Sequence, residues 1–399
     1  MKTVNKQTPP QSVGMSRGLT LLFAIAGGAS VGNLYWAQPL LAPIAEDLGV
    51  SPGNAGFVIT LTQIGYALGI FLIVPLGDSM NRKRMIPAVM LLAAVALAAT
   101  AFAPSFPVLL GLVAFLGVAS VTGQILAPLA GDLATSEQRG QVLGTVASGL
   151  MLGILIARAA SGLVADLLGW RAIFVIAAIL TLVMAVIMVR WLPVLPPRQG
   201  ISYGKLLLSV LASYKDSRVR VTILLGALPM SVFTLFWTSI TLLLSAKPFS
   251  YSTGQIGLIG LLAVVGAVAA QGAGRLYDLG LSVHAIGGSL ALALLALIIA
   301  GVGQTSLFAI MTAIVLFSVG LQATLVLAQT RMMALDPAAR SRLNTAYVVG
   351  IFIAGALGSA AAGLLWGWGG WSGLMITGGV ILLITLALWA RQRTRALSA

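Results

Sequence analysis

The 399-residue chain has no cysteine and one histidine, His284. The first absence removes disulfides, thiolate nucleophiles and Cys-based metal sites, and the second removes any multi-histidine metal site. Charge is also scarce. Asp, Glu, Lys and Arg make up 8% of the residues, against roughly a quarter in soluble globular proteins. Acids are the scarcest: Glu46, Asp47, Asp78, Asp132, Glu137, Asp166, Asp216, Asp278 and Asp336 are all there are. None falls near the middle of an apolar run, so no membrane carboxylate pair is available for hydrolysis. There is no Gly-Lys-Ser/Thr phosphate loop for direct use of ATP. The chain therefore reads as a non-enzyme that needs no metal and no cofactor. Its first 16 residues are polar and lack the apolar core of a secretory leader.

What the chain has in abundance is apolar length. Hydrophobic residues make up 59% of it, and the mean hydropathy is +1.04. A bilayer crossing needs about 20 apolar residues. Twelve such runs are expected, near 18–45, 54–77, 84–103, 107–131, 141–165, 171–192, 219–246, 254–275, 283–303, 305–330, 343–365 and 371–390. The breaks fall at turn residues and charges, such as Ser51-Pro52-Gly53-Asn54 and Asn81-Arg82-Lys83-Arg84. The net charge of +14 would suit nucleic acid if it lay on a soluble domain, but the basic residues sit between apolar runs. With the N-terminus in the cytoplasm, twenty of the 23 Lys and Arg residues fall on cytoplasmic segments and two, Arg171 and Lys247, fall outside. That asymmetry predicts both termini in the cytoplasm; the membrane expected is a bacterial inner membrane.

The segment 193–218 begins Pro193-Val194-Leu195-Pro196-Pro197-Arg198 and continues as a basic, partly amphipathic run. Proline disfavours helix continuation, and lysine and arginine favour an anionic inner leaflet. It reads as a cytoplasmic linker between an N-terminal unit, 18–192, and a C-terminal unit, 219–390, with tails 1–17 and 391–399. The two units repeat. Asp78 and Asp278 end the second and eighth runs 200 residues apart. Arg139 precedes Trp170 by 31 residues, and Arg340 precedes Trp371 by the same interval. A duplicated six-helix unit places a binding site at the interface of the halves.

These features resemble the major facilitator superfamily over essentially residues 18–390. That family carries Gly-x-x-x-Asp-Arg-x-Gly-Arg-Arg after its second span. Here Asp78, Arg82 and Lys83 match, while Val74, Ser79 and Asn81 depart. The second half keeps Gly274 and Asp278 but has Ser282 in place of an arginine. The fifth run resembles the Gly-x8-Gly-x3-Gly-Pro-x2-Gly-Gly motif of the drug:proton antiporter branch at Gly144, Gly153, Ala157, Ser161 and Gly162, with Arg158 where the motif has proline. The resemblance implies an all-α membrane protein of 12 transmembrane helices in two pseudo-symmetric six-helix bundles. It implies a functional monomer and a secondary transporter of a small organic solute, with proton-coupled efflux as the leading mode.

Arg158 is the one charge deep inside an apolar run. A charge at that depth faces a partner or a watery cavity, so it is either an anchor for an anionic or strongly polar solute group, or a structural residue that snorkels outward or pairs with Glu46, Asp47 or a backbone carbonyl. The anchor would make the chain a carrier for uptake or facilitated passage of a small organic anion. Tyr35, Gln38, Gln63, Gln124, Trp237 and Gln322 are the polar and aromatic candidates for the same cavity. In the superfamily the first, fourth, seventh and tenth spans line it. Asp78, Arg82, Asp132, Arg139 and Asp278 end spans or follow them, and they are the candidate gate, since opposite charges across helix ends can latch one of two states.

Overall fold

The computed structural model describes residues 14–193, 202–336 and 339–394. The side chains of Asp78 and Asp278 lie outside that description, so these two gate candidates are placed by backbone alone. The first half of the chain forms α1 (Arg17–Gly32), α2 (Leu41–Asp47), α3 (Pro52–Ala55), α4 (Phe57–Leu72), α5 (Leu76–Ser79), α6 (Arg82–Ala101), α7 (Phe106–Ala119), α8 (Thr122–Leu133), α9 (Arg139–Leu168) and α10 (Trp170–Trp191). The second half forms α11 (Tyr203–Ser213), α12 (Ser217–Ser245), α13 (Thr253–Ile259), α14 (Val264–Asp278), α15 (Ser282–Val302), α16 (Leu307–Ala334) and α17 (Arg340–Gln392).

The fold is all-α. Nine helical stretches among the described residues are long and apolar enough to cross a bilayer. The longest, α17, has 53 residues but turns at Gly370, where φ is 52°. L side chains rarely adopt that angle, so α17 is two helices joined at a glycine. Two other apolar segments are interrupted. Arg17–Asp47 unwinds after Gly32 and re-forms through the 3-10 turn Gln38–Leu40, and Thr253–Asp278 passes through the 3-10 turn Gly260–Ala263. We read these as the passes that complete twelve. Within the expected linker segment α11 forms, and α12 already begins at Ser217.

Helix starts follow the sequence. Ser51 caps α3 ahead of Pro52, and Ser252 caps α13 in a reciprocal box with Gln255, which satisfies backbone donors that a helix start leaves unpaired. Because passes alternate, the α5–α6 turn, the α8–α9 turn and α11 share one end of the molecule, the terminal end. Asp47, Gly169, Ser252 and Gly370 mark the far end. α1 crosses α9 where Gly28 faces Gly149 and Gly153, and a Cβ on any of the three would collide with facing backbone. In lipid, where tails are as apolar as leucine, such close approach is what holds helices together. Large side chains such as Ile156, Val186, Phe308 and Ile384 remain exposed around the outside, as a lipid-facing belt requires.

Candidate functional site

Arg158 projects from the far half of α9 and is 3% exposed. Its guanidinium carbon lies 4.2 Å from the ring centre of Trp237, 5.0 Å from Tyr35 and 5.9 Å from Phe233. Its Nε and Nη2 have no hydrogen-bond partner. No ion pair to it is found among the described residues. Of the expected structural partners, Asp47 is instead bonded to Arg171 and accepts from Trp170 Nε1 at 3.3 Å, and Glu46 is exposed. The Arg171 hydrogen bond holds the Asp47 carboxyl below its usual range, against a smaller opposing effect of burial.

A cavity of about 200 Å³ runs from Arg158 toward the terminal end. It is lined by Tyr35, Tyr66, Gln124, Phe233, Ser318 and Gln322 among others, and reaches Gln329. Ser318 and Gln329 are eleven residues apart on α16, so the cavity extends about 16 Å along that helix at 1.5 Å per residue. Gln124 Nε2 donates to the Tyr66 hydroxyl at 3.1 Å, and Gln329 Nε2 donates to Asn344 Oδ1 at 2.8 Å. The Ser318 hydroxyl is buried without a partner. On the far side of Arg158 is a recess of about 10 Å³, lined by Gln38, Pro39, Trp237 and Gly257 among others. It has room for about one water, and none for a solute. Arg158 therefore forms the closed end of the cavity.

The far end is sealed by contacts between the two halves of the chain. Asp166 Oδ2 on α9 accepts from Ser252 Oγ at 2.6 Å and from Gly254 N at 2.9 Å, at the start of α13. The backbone of Gly257 lies against the Arg158 carbonyl, with no space for a Cβ. Ser359 Oγ on α17 donates to Gly56 O at 3.2 Å and sits 3.3 Å from Thr238 Oγ1 on α12. Toward the terminal end, α14 packs on α16. There the linker helix ties to both halves: the Tyr203 hydroxyl donates to Leu72 O at 2.7 Å, and Tyr214 donates to Ala346 O at 2.8 Å.

Tyr35, Gln124, Gln322 and Arg158 thus come together on the cavity, and Gln38 and Trp237 meet Arg158 at its far side. Gln63 lies elsewhere. It is buried against Gly355 between α4 and α17 and is not among the cavity-lining residues. Of the gate candidates, Arg82 Nη1 pairs with Asp132 Oδ2 at 3.3 Å, and Arg82 Nε donates to Gly77 O at 2.6 Å. Arg139 Nε donates to Gly131 O at 3.0 Å. The three form one cluster at the terminal end, all within the first half. Sequence reasoning missed Phe233, Ser318, Asp166 and Ser252. Phe233 was within reach, since it precedes Trp237 by one helical turn. The partnership of Asp166 with Ser252 spans 86 positions, and nothing local signals it. Among the described residues, no three His, Asp or Glu side chains gather as metal ligands.

Known proteins share this architecture. The chain is 40% identical to the uncharacterized transporter YgaY of Escherichia coli O157:H7 over 378 residues, 94% of this chain and 96% of that protein. It is 28% identical to the chloramphenicol resistance protein of Streptomyces lividans over 268 residues, 64% of this chain and 66% of that one. The fold matches the crystal structure of a bacterial homolog of the human lysosomal transporter Spinster, in an inward-facing and occupied conformation. The TM-score is 0.78 at 17% identity, covering 94% of this chain and 96% of the other. Residues 23–338 match the family model for the Major Facilitator Superfamily, and with that match and the YgaY likeness the chain belongs to this superfamily of membrane transporters.

Proposed function

We propose that the protein is a secondary transporter that moves a small organic anion across a bacterial inner membrane by alternating access. The two halves, 18–192 and 219–390, rock about the cavity, and Arg158 holds the anionic group. One observation carries this reading: a buried guanidinium without an ion pair closes the end of a polar-aromatic cavity. A guanidinium presents a planar fork of donors that matches a carboxylate. The Tyr35, Phe233 and Trp237 rings suit a flat apolar body, and Gln124, Gln322 and Ser318 offer orienting hydrogen bonds. With both termini cytoplasmic, the cavity faces the cytoplasm. Asp166, Ser252 and Ser359 close the outer side, and Arg82, Asp132 and Arg139, together with Asp78 and Asp278, whose backbone lies at the ends of α5 and α14, belong to the inner gate.

Proton-coupled efflux is the second reading, favoured by the likeness to the chloramphenicol resistance protein. It requires a carboxylate that gains and loses a proton in the cycle. No described Asp or Glu lines the cavity, so that role would fall near a span end, to Glu46, Asp47 or Asp132.

Thermal unfolding of purified protein in detergent tests the first reading. A ligand at 100 times its dissociation constant stabilises the native state by about 2.7 kcal/mol. Small aromatic carboxylates are expected to raise the midpoint of the wild type, their neutral amides are not, and Arg158→Gln is expected to fold and lose the response. If amides or organic cations shift wild type and variant equally, the anion reading falls and the efflux reading takes its place.

A further inference from the structure

Arg158 also bears on whether the empty protein can turn over. Among the described residues it is the one charged side chain that is buried. Every described acid lies elsewhere: Asp47 is with Arg171, Asp132 with Arg82, Asp166 on the start of α13, Asp216 with Arg218, Asp336 with Arg342 and Glu137 with Ser136, while Glu46 is exposed. Asp278 ends α14, eighteen residues beyond Gly260, whose backbone faces the Arg158 stem. That is about 27 Å of helix. Arginine keeps its proton in proteins, so it cannot discharge itself, and no described carboxylate lines the cavity to balance it.

In the present state the guanidinium lies at the end of the cavity that runs toward the terminal end, with the side chain itself 3% exposed. To reopen at the far end, the protein must first close the cavity over it. The guanidinium already faces three ring faces and a recess too small for a solute, and closure without an anion takes away the one open space beside it. Ring quadrupoles offset a buried cation's lost hydration far less than a hydrogen-bonded anion does. We propose that the protein is an anion exchanger: it switches faces readily only with an anion against Arg158, so each anion carried one way is matched by another on the return. This rests on the reading of Arg158 as the anion anchor and adds that the empty carrier is held back by its own charge.

The chain's lack of cysteine makes a direct test available. Ser359→Cys places a reporter thiol in the far-end seal, where Ser359 is 0% exposed. Its labelling by a membrane-impermeant maleimide in proteoliposomes reports opening of that face. In chloride-free zwitterionic buffer we expect slow labelling with Arg158 or Arg158→Lys, and labelling about tenfold faster or more with Arg158→Gln or Arg158→Met, which remove the charge. Two neutral variants guard against one that misfolds. Equal rates with and without the charge would overturn exchange. As a second readout, proteoliposomes preloaded with unlabelled benzoate should accumulate labelled benzoate several-fold faster than empty ones, and equal uptake would also count against exchange. Failure of the underlying anchor shows separately, as benzoate leaving the thermal midpoint of the Arg158-bearing protein unchanged.

Discussion

A guanidinium stacked among three rings gives up most of the hydration that an exposed arginine keeps, and the rings return part of it. Such a residue stabilises a complex and not the empty fold. Replacing buried ionic groups by well-packed apolar ones is often neutral or stabilising, by about 1–4 kcal/mol. Arg158→Met is therefore expected to match or exceed wild type in ligand-free thermal stability while losing all response to carboxylates. A midpoint well below wild type would instead make Arg158 structural. Arg158 was legible in the sequence because one charge in an apolar run has few explanations. Gln63 was not: a polar residue in an apolar helix reads alike whether it faces a cavity or a neighbouring helix, and the structure sets it against Gly355. The cavity places of Tyr35, Gln124 and Gln322 followed from their spans, yet Ser318, on the same helix as Gln322, gave no signal of its own.

At the scale of helices, the seal depends on α9 meeting α13. The Ser252–Gln255 box could have been read from sequence as a helix start, but its second acceptor, Asp166, comes from the other half of the chain. The interruptions were equally silent. Nothing in Gly32–Gln38 or Gly260–Ala263 separates a break from a flexible but continuous helix, and both breaks lie near Arg158. Asp166→Ala removes the acceptor for Gly254 N and Ser252 Oγ while leaving the box itself intact. Loss of a cap costs about 1 kcal/mol, which is about a fivefold change in an equilibrium. The seal should open correspondingly more often, read as faster maleimide labelling of Ser359→Cys, with no change in carboxylate affinity measured by thermal shift in the closed state. An unchanged labelling rate would mean that glycine-to-backbone packing alone holds the far end shut.

For the whole molecule, the all-α membrane class was open to reading because apolar length repeats along the chain. Only the pairing of halves needed coordinates. The gate is where that matters. The described bonds among Arg82, Asp132 and Arg139 join elements of the first half, and these bonds stiffen that half. The described side-chain hydrogen bonds that run directly from one half to the other are at the far end, Asp166 to Ser252 and Ser359 to Gly56. Under the alternating access proposed above, these are the bonds that must break in every cycle. In the cysteine-free chain, Asp166→Cys with Ser252→Cys joined by a short bifunctional thiosulfonate should arrest benzoate counterflow, and a reductant should restore it. Cysteines placed at Arg82 and Asp132 and joined by the same reagent should slow counterflow far less, because they link parts that move together. Full transport with the far-end link in place would show that the halves do not separate there, and alternating access around Arg158 would have to open along another seam.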